Sequence, residues 1–225
     1  MRWPLTIAVR PQQRQTLAQN LAAIDARLAR PRAAPDCGAS LLHPALVAPC
    51  DDAHVSFART LGEDDRDACF EILEENMREQ YDANPWGWNA AVKRSELAHD
   101  NARFVLVRGG GGKIQAFAHF RFDPDDEVHA SRAVLYVREL QVAQPFRSSG
   151  LGARIMNLLQ RVAGQFELDC VMLTVFKTNA RALSFYMEKL EYSIDAGDPV
   201  NFSRDVCYHV LSRRCRGAEA EAAPR

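Results

Sequence analysis

No run of apolar residues in this 225-residue sequence approaches the ~20 in succession that a bilayer-spanning helix requires. The formal net charge is only −1, so the molecule as a whole lacks the electrostatic footprint of a nucleic-acid binder. There are six cysteines, Cys37, Cys50, Cys69, Cys170, Cys207 and Cys215, but no Cys-x-x-Cys pair and no His at zinc-site spacing. No metal site is expected, and the thiols read as scattered reduced side chains of an intracellular protein. A secretory apolar segment and internal repeats are also missing.

What remains has near-average composition and a length that suits one globular domain with extensions. The expected division is a basic arm and linker over 1–55, a globular domain over 56–214 and a disordered tail over 215–225. The first 35 residues carry Arg2, Arg10, Arg14, Arg27, Arg30 and Arg32 against one acid, Asp25. An organelle transit peptide has that composition, and so does a basic arm that attracts acidic partners; the arm is the favoured reading. Leu17, Leu21, Ile24 and Leu28 have the spacing of a short amphipathic helix, and the Pro- and Ala-rich stretch 31–52 reads as a linker.

The stretch 63–81 predicts a helix, with acids in its first turn and Phe70, Leu73, Met77 and Tyr81 on one face. Asn84-Pro85 turns the chain into Trp86-Gly87-Trp88, and a shorter helix is expected over 89–99. Phe104–Arg108 and Lys113–Phe122 flank a glycine turn and predict a β-hairpin. A polar loop over 123–131 leads to a third strand, Ala133–Val142. A helix over 151–164, a strand over Val171–Val175, a helix from Asn179 to Leu190 and a last strand over Val206–Ser212 follow. That order gives an α/β sheet with a glycine loop in its middle.

The loop is Arg147-Ser148-Ser149-Gly150-Leu151-Gly152, between an apolar strand and an amphipathic helix. Glycines at a helix start admit an anion to the free N–H groups and the positive end of the dipole. The spacing is neither that of a P-loop nor that of a dinucleotide-binding turn. Alone, it is as compatible with a glycine-rich helix start that binds nothing.

In context, LYVRELQVAQPFRSSGLGARIMNLL resembles the acetyl-CoA motif of the GNAT superfamily, and VMLTVFKTNARALSFYMEKLEY resembles its next block. The resemblance implies the GNAT acyl-CoA N-acyltransferase fold, an α/β (α+β) architecture with a mixed, mostly antiparallel sheet flanked by helices. It implies acetyl-CoA as cosubstrate, with the pyrophosphate cradled by Arg147, Ser148, Ser149, Gly150, Leu151, Gly152 and Ala153. The backbone of Leu140, Gln141 and Val142 would meet the acetyl group, Asn179 would touch the cofactor, and the pantetheine arm would lie where two strands diverge.

Within that superfamily, VMLTVFK, AHFRFD, ENMREQY with a nearby WGW, and LSRR are similar to the histone-directed N-terminal acetyltransferases, the NatD family. That likeness covers about residues 70–214 and implies histone H4 and histone 2A N-termini as partners of a monomeric catalytic subunit in nucleus and cytoplasm. It implies Glu139 as general base, Tyr81 and Trp86 at the peptide mouth, Asp123 and Asp125 reading a basic residue, and Thr174 and Tyr208 as further substrate contacts. Arg138 stands where that family has Tyr, and Tyr186 where it has Phe. Many GNAT enzymes carry a Tyr at the latter position to protonate the leaving thiolate, so Tyr186 is a candidate acid.

The chemistry needs a neutral amine. A peptide α-amine has a pKa near ~8, so a modest base such as Glu139 suffices, while His119 sits in a strand pattern and reads as structural. A regular strand would put Tyr136 and Arg138 on one face and Glu139 on the other; a β-bulge would let both faces meet one cleft. The rival expectations are a GNAT enzyme for lysine or a small amine, and a catalytically dead acyl-CoA-binding module.

Overall fold

A computed structural model of the chain describes residues 54–124, 132–166 and 168–215. The expected 17–28 helix, the 31–52 linker, Asp125 and the C-terminal tail lie outside the described residues. The strands are β1 (His54–Ala58), β2 (Arg103–Arg108), β3 (Ile114–Pro124), β4 (Ala133–Val142), β5 (Cys170–Phe176), β6 (Ser193–Ile194) and β7 (Tyr208–Arg214). They form one sheet in the order β1-β2-β3-β4-β5-β7-β6. Every neighbouring pair is antiparallel except β4 and β5, which run parallel. A parallel pair needs a long crossover, and the helix α3 (Leu151–Gln165) provides it.

Each face of the sheet is covered by helices whose apolar residues recur at three- and four-residue steps. On one face, α1 (Glu63–Asp82) buries Cys69, Phe70, Ile72 and Leu73 against Phe104, Leu106 and Phe117. Acids Glu63, Asp64 and Asp65 occupy its first turn, where the helix dipole favours them. The short α2 (Ala90–Leu97) is capped by Asn89, whose side chain accepts from the Val92 N–H at 3.0 Å. On the other face, α3 buries Leu151, Ile155, Met156, Leu158, Leu159, Val162 and Ala163 against Leu135, Val137, Val171 and Leu173. β5 is buried along nearly its whole length, as a strand covered on both faces must be.

The structure differs from the sequence reading in five places, one of them the last strand, which is β7 at Tyr208–Arg214 and not Val206–Ser212. β1 pairs with Phe104–Arg108 of β2 and starts at His54, two residues before the expected domain boundary. The two-residue β6 was not expected either. β3 continues through Asp123 and Pro124, which the sequence reading places in a loop, because both stay paired with β4. The helix expected from Asn179 to Leu190 is α-helical only over α4 (Ala180–Ser184) and continues as a π-turn over Phe185–Lys189. Such turns concentrate at functional sites.

The fourth strand carries the feature that shapes the site. His119 pairs with Glu139 and Phe120 with Val137, so Arg138 is an extra residue in β4. This β-bulge shifts the phase of the strand by one. Leu135 and Val137 face the α3 side, and after the bulge Leu140 and Val142 do so. Tyr136 and Glu139 therefore share the face toward α1 and α2, instead of the opposite faces that strict alternation requires. The bulge also ends the ladder to β5. The last pair is Val137 with Leu173, and both strands run on beyond it without pairing.

Candidate active site

The splay of β4 from β5 opens an inner hollow between the strands. It is lined by Tyr81 and Trp86, by Arg138, Glu139, Leu140 and Gln141 of β4, by Thr174 of β5, and by Asn179 and Tyr186. An outer groove runs from it toward the start of α3, lined by Leu140, Gln141, Val142, Arg147, Ser148, Gly150, Leu151, Gly152 and Ala153. Leu140, Gln141, Asn179 and Tyr186 border both. The outer groove has a volume of about 760 Å³, within the range of small-molecule sites, roughly 300–1,000 Å³. Among the expected residues whose side chains are described, Ser149 and Tyr208 are not part of either lining. Ser149 is exposed and its hydroxyl donates to the Phe146 carbonyl at 2.6 Å, and Tyr208 instead packs on Trp86, with ring centres 5.1 Å apart.

The loop before α3 is built to leave backbone donors open. Ser148 and Gly150 both have positive φ, 65° and 88°, a conformation that costs glycine little. The first helical bond of α3 runs from the Arg154 N–H to the Gly150 carbonyl at 3.0 Å. The amides of Leu151, Gly152 and Ala153 precede it and form the positive end of the helix. A Cβ on Gly150 would meet open space, and one on Gly152 would come within 3.3 Å of the Phe185 ring. These features fit a phosphate group lying against the helix start. Arg181 and Lys189 also line this groove, and neither was singled out from the sequence.

A chain of polar side chains joins the groove to the hollow. The Arg147 guanidinium donates to Asn76 Oδ1. Asn76 Nδ2 donates to Gln141 Oε1 and to the Val142 carbonyl, each at 3.0 Å. Gln141 Nε2 donates to Glu139 Oε2 at 3.0 Å. Glu139 Oε1 accepts from Lys93 Nζ at 3.0 Å, and the same ammonium reaches Glu96 Oε2 at 3.0 Å. Lys93 and Glu139 are both only 6% exposed. Burial alone would pull the Lys93 ammonium toward neutrality, but Glu139, Tyr81 and Glu96 outweigh it and move its pKa upward.

Asn76 and Lys93 were missed in the sequence. Lys93 sits in a helix of alternating charge that reads as a solvated face, and its burial depends on Glu139, 46 residues away. Asn76 gives no signal of its own within a charged helix.

Around this chain sit the aromatics. Tyr81 packs edge-on against Phe176 at 5.0 Å, and Trp86 lies 5.2 Å from the same ring. The Tyr136 hydroxyl bonds Thr174 Oγ1, and the Arg138 guanidinium lies 4.7 Å above the Tyr136 ring. Tyr186 is 9% exposed, and burial, with the charge of Glu139, pushes its hydroxyl above the usual phenol range. The phenol therefore keeps its proton near neutrality. His119 is fully buried, stacked on Phe104, and pulled down to about 3 by burial and by Arg121, Arg138 and Lys93. It is a poor proton acceptor at neutral pH. Asp123 ends up at the far end of β3, paired with Val134. Among the described residues, no group of three or more His, Cys, Asp or Glu side chains could hold a metal ion.

A bulged strand splayed from its parallel neighbour, with a glycine loop and helix start at the mouth of the gap, is the arrangement that the sequence resemblance implies for an acyl-CoA-dependent N-acyltransferase. The model of the acetyltransferase (GNAT) family matches residues 64–192, and the chain belongs to that family. Its fold is shared by the ribosomal-protein-S18-alanine N-acetyltransferase of Escherichia coli, at 16% identity and a TM-score of 0.51, over 76% of this chain and 100% of that one. Arabidopsis thaliana NAA60, solved with a bisubstrate analogue, matches at 14% identity and a TM-score of 0.52, over 73% and 100% of the two chains. The PaiA N-acetyltransferase of Thermoplasma acidophilum, in complex with coenzyme A, matches at 10% identity and a TM-score of 0.52, over 72% and 99%.

Proposed function

We propose that this acetyltransferase moves the acetyl group of acetyl-CoA to the α-amine of a protein N-terminus, and that histone tails beginning Ser-Gly-Arg-Gly are its substrate class. One arrangement carries the reading: a buried carboxylate, Glu139, borders the meeting point of a phosphate-fitting groove and an aromatic-lined hollow. Acetyl-CoA, when bound, supplies an activated acyl carbonyl and a thiolate leaving group. Arg147 and the open amides at the start of α3 would hold its pyrophosphate.

Glu139 accepts the amine proton, and the two hydrogen bonds from Lys93 and Gln141 leave further lone pairs on its carboxylate for that purpose. Tyr186 holds a proton on its phenol where the hollow and the groove meet and returns it to the departing sulfur. Tyr81 and Trp86 line the approach of an extended peptide, with Tyr208 packed on Trp86 and with Thr174 and Arg138 on the strand wall. One of the fold neighbours, the ribosomal-protein-S18-alanine N-acetyltransferase, fits this class by its name. The histone specificity follows the sequence likeness, in which Asp123 and Asp125 face the third residue of the tail.

A mass-spectrometric panel of peptides with free and blocked N-termini, Ser-Gly-Arg-Gly among them, tests the reading. Free α-amines are expected to gain an acetyl group and blocked ones are not. Glu139→Gln lowers turnover by roughly 100- to 10,000-fold, the span expected for a lost base. Acetylation of lysine on a blocked peptide, or wild-type turnover by the Gln variant, refutes it.

A further inference from the structure

Glu139 is one of two carboxylates held by a single cation. Lys93 Nζ lies 3.0 Å from Glu139 Oε1 on β4 and 3.0 Å from Glu96 Oε2 on its own helix, α2. It also lies 4.6 Å from the centre of the Tyr81 ring on α1. Three elements that wall the inner hollow thus meet at one ammonium. The cation is 6% exposed and Glu139 is equally buried, whereas Glu96 keeps partial access to solvent.

A buried carboxylate without a counter-charge sheds its charge or turns toward water. Among the described residues, Lys93 is the cation in ion-pair contact with Glu139. The side chain that decides where the Glu139 carboxylate points is then Lys93, with Gln141 holding the second oxygen. Lysine suits this place because three donors on one rotatable head can serve two carboxylates and a ring face together.

We propose that Lys93 is a positioning residue for acetyl transfer. It sets the Glu139 carboxylate at the wall of the hollow and fixes it relative to Tyr81 and Glu96 at the peptide side. The proposal rests on the assignment of Glu139 as proton acceptor. Lys93 lines the same hollow, and the role assigned to it is exerted through Glu139.

The test is a cycle of four proteins: wild type, Lys93→Met, Glu139→Gln and the double variant. Each is assayed with acetyl-CoA and whichever free-N-terminus peptide of the panel wild type acetylates fastest. Lys93→Met is expected to lower kcat by roughly tenfold or more, part of the 100- to 10,000-fold that a positioned acid–base group contributes. The KM for acetyl-CoA should stay within about twofold, which also reports an intact fold. In the Glu139→Gln background the same substitution should cost almost nothing, because the group it positions is gone. Lys93→Gln, which keeps a donor without the charge, replaces the Met variant if the latter does not fold.

Equal losses in both backgrounds, or unchanged kcat in Lys93→Met, would overturn the role of Lys93 while leaving Glu139 in place. Full activity in Glu139→Gln alone, or no acetylation of any panel peptide by wild type, would remove the base assignment and this role with it.

Discussion

The fate of His119 on acidification offers a quantitative check of the buried face under α1 and α2. Its ring is fully buried against Phe104, and neither nitrogen has a hydrogen-bond partner among the described residues. Burial and three neighbouring cations lower its pKa from 6.5 to about 3. In the unfolded chain the ring regains an ordinary pKa, so between pH 6.5 and 3 the unfolded state binds more protons. Stability must then fall as pH falls through that window.

Between pH 7.5 and 5 the folded ring stays neutral while the unfolded one goes from about one-tenth to almost fully protonated. Integrating the linkage relation over that interval gives about 2 kcal/mol. The interval stops at pH 5 because carboxylates titrate below it. Urea denaturation of wild type and His119→Leu at both pH values isolates the term, since all other groups are common to both. Wild type should lose about 2 kcal/mol more than the variant on going to pH 5. Parallel losses would refute the argument and mean that the ring has access to water or a proton partner.

The cofactor loop and the mouth of the hollow give two further tests. Gly150→Val forces a branched side chain to φ 88°, so acetyl-CoA affinity measured by calorimetry should drop and Tm should fall by several degrees; unchanged affinity in a folded variant would take the loop out of the site. Trp86→Ala removes the ring that touches Tyr81, Phe176 and Tyr208, and should raise the peptide KM while leaving that for acetyl-CoA near wild type. A rise in both constants would place Trp86 in the core and not at the mouth.

Periodicity made much of the fold legible. β4 was expected over the residues it occupies, and the helix from Leu151 lies within a residue or so of its expected span, because apolar steps mark both and Gly150 marks the start of the helix. β1 escaped because it is a short edge strand next to a Pro- and Ala-rich stretch, with no turn to announce a hairpin. The π-turn escaped because its apolar spacing differs from that of an α-helix by a fraction of a residue. The residues lining the groove and hollow were found mainly through likeness to a superfamily. Lys93, Asn76 and the pairing of Glu139 were not, because each depends on contacts between residues 46 to 71 positions apart.

The extra residue at Arg138 divides β4 into two segments of opposite phase. On one side odd-numbered positions enter the core, and on the other even-numbered positions do. Removing that residue alone would leave composition almost unchanged, yet it would turn Leu140 and Val142 into the hollow and Glu139 and Gln141 toward α3. Carrying site residues from this chain to a relative therefore requires aligning the two segments independently. A gap set one position away would exchange wall for core and make a relative that keeps the Glu139 carboxylate read as one without it.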